Sequence, residues 1–425
     1  MGSEMCIRDS KTTDARRIAT GFLAMGPKSL NNRNKAEFIM DTVDEQLDVT
    51  TRAFMGLTVA CARCHDHKFD PIPTEDYYSM AGIFKSTQTL FGGATGGGIR
   101  HQTKLIELQE GRNTKQVAKP KPMDNSQKVA ELRKRQQAIA IETKKIQKQL
   151  KAKAKTDPRF KELAQERKKN AVLIRKLAGS AKKGGKPKQA GPLAMGAIEG
   201  SPADIKVHIR GNVSTQGALT KRGFPRVMDF DGPKVDPKQS GRLQLAEWIA
   251  HQNNPLTARV FANRIWHHLF GRGIVPSTDN FGVLGEKPSH PELLDWLARD
   301  FVDNGWDLKR FIRSLMLTET YCQSTQITEL DLERDPGNRL LSRGARFRMD
   351  AEMIRDQALF LSELLVEKMG GPGVKPYQPK GLWKAVGYSG SNTVSFTKDD
   401  GEALYRRSLY TFWKRTRPPP VSYTH

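Results

Sequence analysis

Apolar positions recur at helical spacing through the first ninety residues. In NKAEFIMDTVDEQLDVTTRAFMGL (34–57), Phe38, Val43, Leu47, Phe54 and Leu57 trace one side of a helix. Pro71 and Pro73 forbid a helix in the segment that follows. Thr74 then offers an N-cap, with Glu75 and Asp76 in the first turn. Tyr77, Met80, Ala81 and Phe84 fall at i, i+3, i+4 and i+7, which predicts a second helix with one buried face. FGGATGGG (91–98) is a flexible break.

Further on the period changes. Val129, Leu132, Ile139, Ile146 and Leu150 keep a heptad frame, with Gln136 and Thr143 as polar intruders. KTDPR breaks it: Asp157 can cap and Pro158 suits a first helical position. Phe160, Leu163, Ile174 and Leu177 resume the spacing, with Arg167 and Asn170 intruding. Two helices folded back as an antiparallel hairpin satisfy this pattern. GSAKKGGKPKQAG is then a basic, disordered tether. In ADIKVHIRG, Ile205, Val207 and Ile209 alternate with Lys206, His208 and Arg210, a strand with the second set facing solvent. RVMDF is a candidate partner strand. Helices dominate afterwards. LTARVFANRIWHHLF stops at Gly271. SHPELLDWLARDFVDNG opens on a Ser289-x-x-Glu292 capping box and stops at Gly305. Asp307 caps a helix to about Thr318, and Asp350 caps AEMIRDQALFLSELL.

The expected fold is therefore mainly α. A helical domain spans 11–90, a linker 91–124, the hairpin 125–178, a tether 179–192, and a mostly helical C-terminal domain with a small β element 193–420. Residues 1–10 and 421–425 resemble translated adapter sequence, so we expect a fragment and read nothing from the lack of a leader. No apolar run reaches 18 residues, so no transmembrane helix is encoded.

Charge sharpens this division. The net charge is +24, yet residues 111–190 hold 25 Lys and Arg against 6 Asp and Glu. The basicity belongs to the hairpin and its flanks. Such a segment can dock on an acidic partner or a polysaccharide, or simply be a solvated coiled coil. The absence of aromatic residues, apart from Phe160 on the seam, argues against nucleic acid.

Chemistry concentrates in CARCHDH. Of four cysteines, Cys6 lies in the suspect terminus and Cys322 stands alone, expected as a buried, inert thiol. Cys61-Ala62-Arg63-Cys64-His65 has the C-x-x-C-H spacing of covalent haem attachment: two thiols for the two vinyl groups, with the adjacent imidazole as an axial iron ligand. The rival is a bare zinc or iron ion held by Cys61, Cys64, His65 and His67. A redox or structural cysteine pair is the third reading. Met80, on the apolar face, is a candidate sixth iron ligand and equally a core residue; His101 is another candidate. Asp66 and Asp70 can cap local turns, and His67 can support the site or stand exposed.

At this point the wording of the chain matters. GLTVACARCHDHKFDPIPTEDYYSMAGIFKST resembles the signature of planctomycete-type, cytochrome-associated proteins of unknown function. LAEWIAHQNNPLTARVFANRIWHHLFGRGIVPSTDNFGVLGEKPSHPELLDWLARDFVDNGWDLKRFIRSLMLTETYCQS resembles the planctomycete-specific domain that follows in the same proteins, and IKVHIRGN and KRGFPRVM resemble its opening. The resemblance implies export to the periplasm or another extracytoplasmic place, an upstream cytochrome domain as redox partner, and a C-terminal domain longer than this one. It transfers Cys61, Cys64 and His65 as haem-attachment positions and no catalytic residue.

Elsewhere, Arg259, Asn263 and His267 form a polar stripe that suits a ligand or structural hydrogen bonds. RFRMDAEMIRD suits salt-bridged capping. Asp279 and Asp295 are carboxylates that nothing selects as a hydrolytic pair. The leading expectation is an exported protein carrying covalent haem c, used for electron transfer or redox sensing. The alternatives are a metal-dependent carbohydrate-active surface enzyme, and a binding or scaffold protein whose Cys/His cluster is structural.

Overall fold

A computed structural model of the chain describes residues 13–93, 100–109, 126–150, 157–182, 192–378, 381, 383 and 396–412. The expected artefactual ends, and the centres of the glycine-rich break and of the basic tether, lie outside the described residues. So do the side chains of Val129, Leu150, Ile174 and Leu177. The fold is mainly α with a small β element. In chain order the helices are α1 (Asp14–Ala19), α2 (Lys35–Met55), α3 (Thr74–Lys85), α4 (Ser126–Leu150), α5 (Pro158–Lys182), α6 (Arg242–Ile249), α7 (Thr257–Phe270), α8 (Pro291–Asp303), α9 (Leu308–Met316), α10 (Glu329–Arg334) and α11 (Ala351–Leu361). The strands are β1 (Thr87–Leu90), β2 (Ile106–Glu107), β3 (Leu193–Ala194), β4 (Gly196–Glu199), β5 (Ile205–His208) and β6 (Gln216–Thr220).

The chain divides into two compact units, one built around residues 22–104 and 197–425, the other from 7–21 and 105–196. In the second unit β2 and β3 pair antiparallel, Ile106 opposite Ala194. This short ladder closes the base of a long excursion. Along it, α4 and α5 make the expected hairpin. Ile139 and Leu163 are buried on its seam, and Asn170 joins them despite being polar. Arg135 bridges to Glu166 at 2.7 Å, and Arg159 to Glu142 at 3.2 Å, fixing the register from outside.

In the first unit, segments that are far apart in sequence share one core. Leu47 and Met55 of α2 and Tyr77, Met80 and Phe84 of α3 pack with Ile205 of β5 and with Leu245 and Trp248 of α6. α3 is buried on more than one face, since Tyr78 and Ile83 are as inaccessible as Tyr77. A second cluster joins Trp266 and Phe270 of α7 to Leu294, Leu297 and Phe301 of α8 and to Phe311 of α9. Each such side chain contributes about 1.5–3 kcal/mol by leaving water.

Several local expectations change. RVMDF is not a strand: Arg226–Met228 forms a 3-10 turn, and β5 pairs instead with β6. The ladder slips between Lys206 and His208, and this irregularity turns His208 inward, to 5% exposure, where simple alternation faced it to solvent. Ser289 does not cap α8. Its hydroxyl contacts the Ile274 carbonyl and the His290 ring, and the helix starts without a side-chain cap. Asp307 does cap α9, accepting from the Arg310 amide at 3.0 Å. Cys322 is exposed, not buried. α10, with a capping box between Thr328 and Asp331, is an element the apolar pattern did not indicate.

Candidate functional site

The C-x-x-C-H segment follows directly on α2. That helix ends at Gly56, whose left-handed φ of 60° reverses the chain. Its last carbonyls do not go unsatisfied: Arg264 of α7 donates to Ala53 and Arg52, the latter at 2.8 Å. The chain then enters a 3-10 turn, Val59–Arg63. With three residues per turn, side chains at i and i+3 eclipse. Val59 and Ala62 therefore share the inner face and are fully buried. Cys61 and Cys64 share the outer face, both exposed and both free thiols.

Behind the turn, the backbone is held by α2 and α3. Tyr78 places its hydroxyl between the carbonyls of Arg63, 3.1 Å, and His208, 3.2 Å. Burial, chiefly, pushes the Tyr78 phenol up to about 12, so it remains a donor. Arg63 reaches Asp41 at 3.0 Å and Asp44 at 3.4 Å, and Tyr77 donates to Asp44 at 2.7 Å.

His65 is exposed, and its Nδ1 lies 2.7 Å from the Asp66 carbonyl oxygen. A carbonyl can only accept, so Nδ1 carries a proton, and in the neutral ring that tautomer leaves the lone pair on Nε2. Asp66 accepts from the Thr74 amide at 2.8 Å, which holds its carboxyl below the ordinary value and starts α3. Asp70 accepts from the Val283 amide at 2.7 Å. Asp66 thus bonds a nearby amide, as expected of a local turn, whereas Asp70 is taken by a distant one rather than by its own turn. His67 is consumed by the loop: its Nδ1 accepts from the amides of Asp70, 2.8 Å, and Phe69, 3.3 Å, leaving Nε2 to donate to Thr58, 3.1 Å.

Met80 is wholly inaccessible in the core beneath α3. His101 stacks on Phe38 at 3.8 Å and bonds the Asn32 carbonyl. Neither thioether nor imidazole is presented at the outer face that carries the two thiols.

The structure adds two residues to the neighbourhood. A Cβ on Gly211, which has φ of 73°, would lie 2.7 Å from Cys64 Sγ, so the 209–212 turn sits directly on that thiol. His208, just before it, packs its ring edge against Tyr78 at 5.3 Å, and its Nδ1 is buried with no hydrogen-bond partner. Burial, helped by the charges of Lys85 and Arg63, holds this imidazole below its ordinary value. The strand pattern placed His208 on the wrong face; only the bulge reveals it.

A bare ion finds no cage here. Among the described residues no group of three or more His, Cys, Asp or Glu side chains converges as metal ligands, and His67 is turned inward on Thr58. The polar stripe of α7 is structural in part. Arg259 pairs with Asp295 at 2.7 Å, and Asn263 is buried between the amide and carbonyl of Val275. Asp279 faces Arg52 at 3.6 Å, so Asp279 and Asp295 answer to different arginines. In RFRMDAEMIRD, Arg355 donates to the carbonyls of Leu404 and Arg406, and Asp356 accepts from Ser408.

With this geometry in place, two family models match the chain. Residues 3–89 match PSCyt2, protein of unknown function DUF1549, and residues 241–425 match PSD1, protein of unknown function DUF1553. These are the planctomycete cytochrome-associated domains, in the order the sequence suggests. No curated protein and no solved structure matches. Among the described residues no helix is long and apolar enough to cross a membrane.

Proposed function

We propose that the chain carries one haem c, joined through thioether bonds to Cys61 and Cys64, with His65 Nε2 as an axial iron ligand. The observation that carries the proposal is the common outer face of the 3-10 turn. It leaves two thiols three residues apart both free and exposed, next to an imidazole whose Nδ1 is anchored and whose Nε2 is open. The match to a cytochrome-associated family model supports the same reading.

When bound, such a group exchanges single electrons at a potential set by its axial ligands and exposure. The protein's part is to hold the attachment turn still. Tyr78, Arg63, Asp66, Asp70 and His67 do so through the contacts above. Cys64 is backed by Gly211, so its side chain has little freedom to turn away from the outer face. The fit is to an exposed attachment edge, with Phe69 and Ile209 as partly exposed apolar residues on adjoining turns. In this reading the protein works outside the cytoplasm, where haem is attached, and passes electrons to, or senses, a redox partner. The basic hairpin serves as a docking arm for an acidic partner or polysaccharide.

The test is an alkaline pyridine haemochrome spectrum of protein produced with a haem-maturation system. A spectrum shifted as expected for two thioether links supports the proposal, and Cys61→Ala with Cys64→Ala should abolish it. Lack of covalent haem in correctly folded wild type refutes it.

A further inference from the structure

Far from the cysteine turn in sequence, a cavity of about 140 Å³ opens where α7 ends, lined on one side by Trp266 and Phe270 and on others by Arg272, Arg339 and Arg346. Such a volume holds about five waters. Three arginines therefore line one small space, each also exposed to solvent, and no Asp or Glu lines it with them. Arg272 has only a long contact to Glu286, 3.7 Å. Its Nη1 reaches over Gly337, 3.4 Å from where a Cβ would stand, so it lies across the loop that carries Arg339.

Arg339 feels Asp335, but that carboxylate is already engaged by the amides of Arg339 and Leu340, at 2.8 and 2.7 Å. Arg346 makes no ion pair among the described residues. Like charges around one cavity raise the local potential and favour a counter-ion. The end of α7 opposes this with its negative pole, and Arg272 stands there to meet it. The other wall is aromatic: Phe347 is half-exposed over Gly271, and Trp266 stacks on Phe270 at 4.0 Å.

We infer that this cavity binds a small organic anion, a carboxylate on a flat apolar body, with the guanidiniums taking the oxygens and the aromatic wall taking the body. Planar guanidinium forks suit carboxylate oxygens better than a point charge does. The inference does not depend on the haem proposal, since no residue is shared.

The probes are benzoate, its neutral isostere benzamide, and inorganic sulfate, measured on the full chain by isothermal titration and by ligand-detected nuclear magnetic resonance. Benzoate is expected to bind, benzamide to bind at least tenfold more weakly, and sulfate to compete with benzoate. Arg339→Gln with Arg346→Gln should weaken benzoate at least tenfold while leaving the melting temperature of the free protein unchanged, since neither guanidinium holds the fold. Glu286→Gln, which frees Arg272, should leave benzoate binding intact. Equal binding of benzoate and benzamide, or unchanged benzoate binding in the double arginine variant, overturns the inference, as does failure of benzoate to bind wild type.

Discussion

Replacing Gly211 by alanine separates two costs that the structure assigns to one position. Gly211 has φ of 73°, where a Cβ costs about 1–2 kcal/mol against the following carbonyl. Its new methyl would also stand 2.7 Å from Cys64 Sγ, well inside ordinary contact. The backbone of the thiol's turn is pinned by Tyr78, so the turn cannot simply retreat, and overpacking of this kind adds about 1–3 kcal/mol. Gly305 is the internal control, with φ of 69° and nothing within 4 Å of its would-be Cβ. Gly305→Ala should therefore cost about 1–2 kcal/mol, and Gly211→Ala about 2–5 kcal/mol. The assay is urea unfolding of the haem-free chain followed by near-ultraviolet circular dichroism, which reports packing around the aromatic core. Cys64→Ala in the Gly211→Ala background should recover the steric share, a coupling of about 1–3 kcal/mol in a double-mutant cycle. Equal losses at Gly211 and Gly305, with no recovery on removing the thiol, would show that the 209–212 turn does not rest on Cys64.

Three other outcomes follow from the same contacts. His67→Ala removes the Thr58 bond and the acceptor of two amides, so it should cost about 2 kcal/mol in urea unfolding; covalent haem yield at 25 °C should not change, because His67 is a brace and not a ligand. His208 is held below its ordinary value of 6.5, so the unfolded chain binds its proton first; stability present above about pH 6.5 is lost as pH falls below it, and His208→Phe should flatten the dependence of melting temperature between pH 7.5 and 5.5. Ile139→Ala, at the buried seam of the hairpin, should cost about 2–5 kcal/mol and loosen α4 and α5, seen as faster amide exchange there with unchanged exchange in α3.

The helices were legible because their apolar period is strong and their stops are chemical. α3 buries the residues its spacing names, and Gly271 and Gly305 end α7 and α8 with the left-handed φ that glycine permits. The cysteine turn was legible as spacing but not as shape. Nothing in CARCH distinguishes an α turn from the 3-10 turn that leaves both its thiols exposed. His208 was misplaced because alternation presumes an unbroken ladder, and the slip beside Lys206 inverts the face. A four-residue match predicts a cap at Ser289, whereas tertiary contact with Ile274 claims its hydroxyl. The shared core of 22–104 and 197–249 was invisible because it joins residues more than a hundred positions apart, across the basic excursion that local patterns show as a boundary.

Intact-mass spectrometry of matured protein tests the central claim most directly. The account predicts the polypeptide plus one haem, retained after acid–acetone extraction and lost in the Cys61→Ala, Cys64→Ala variant. The bare polypeptide mass, from folded wild type made beside a control cytochrome that does acquire haem, would contradict it.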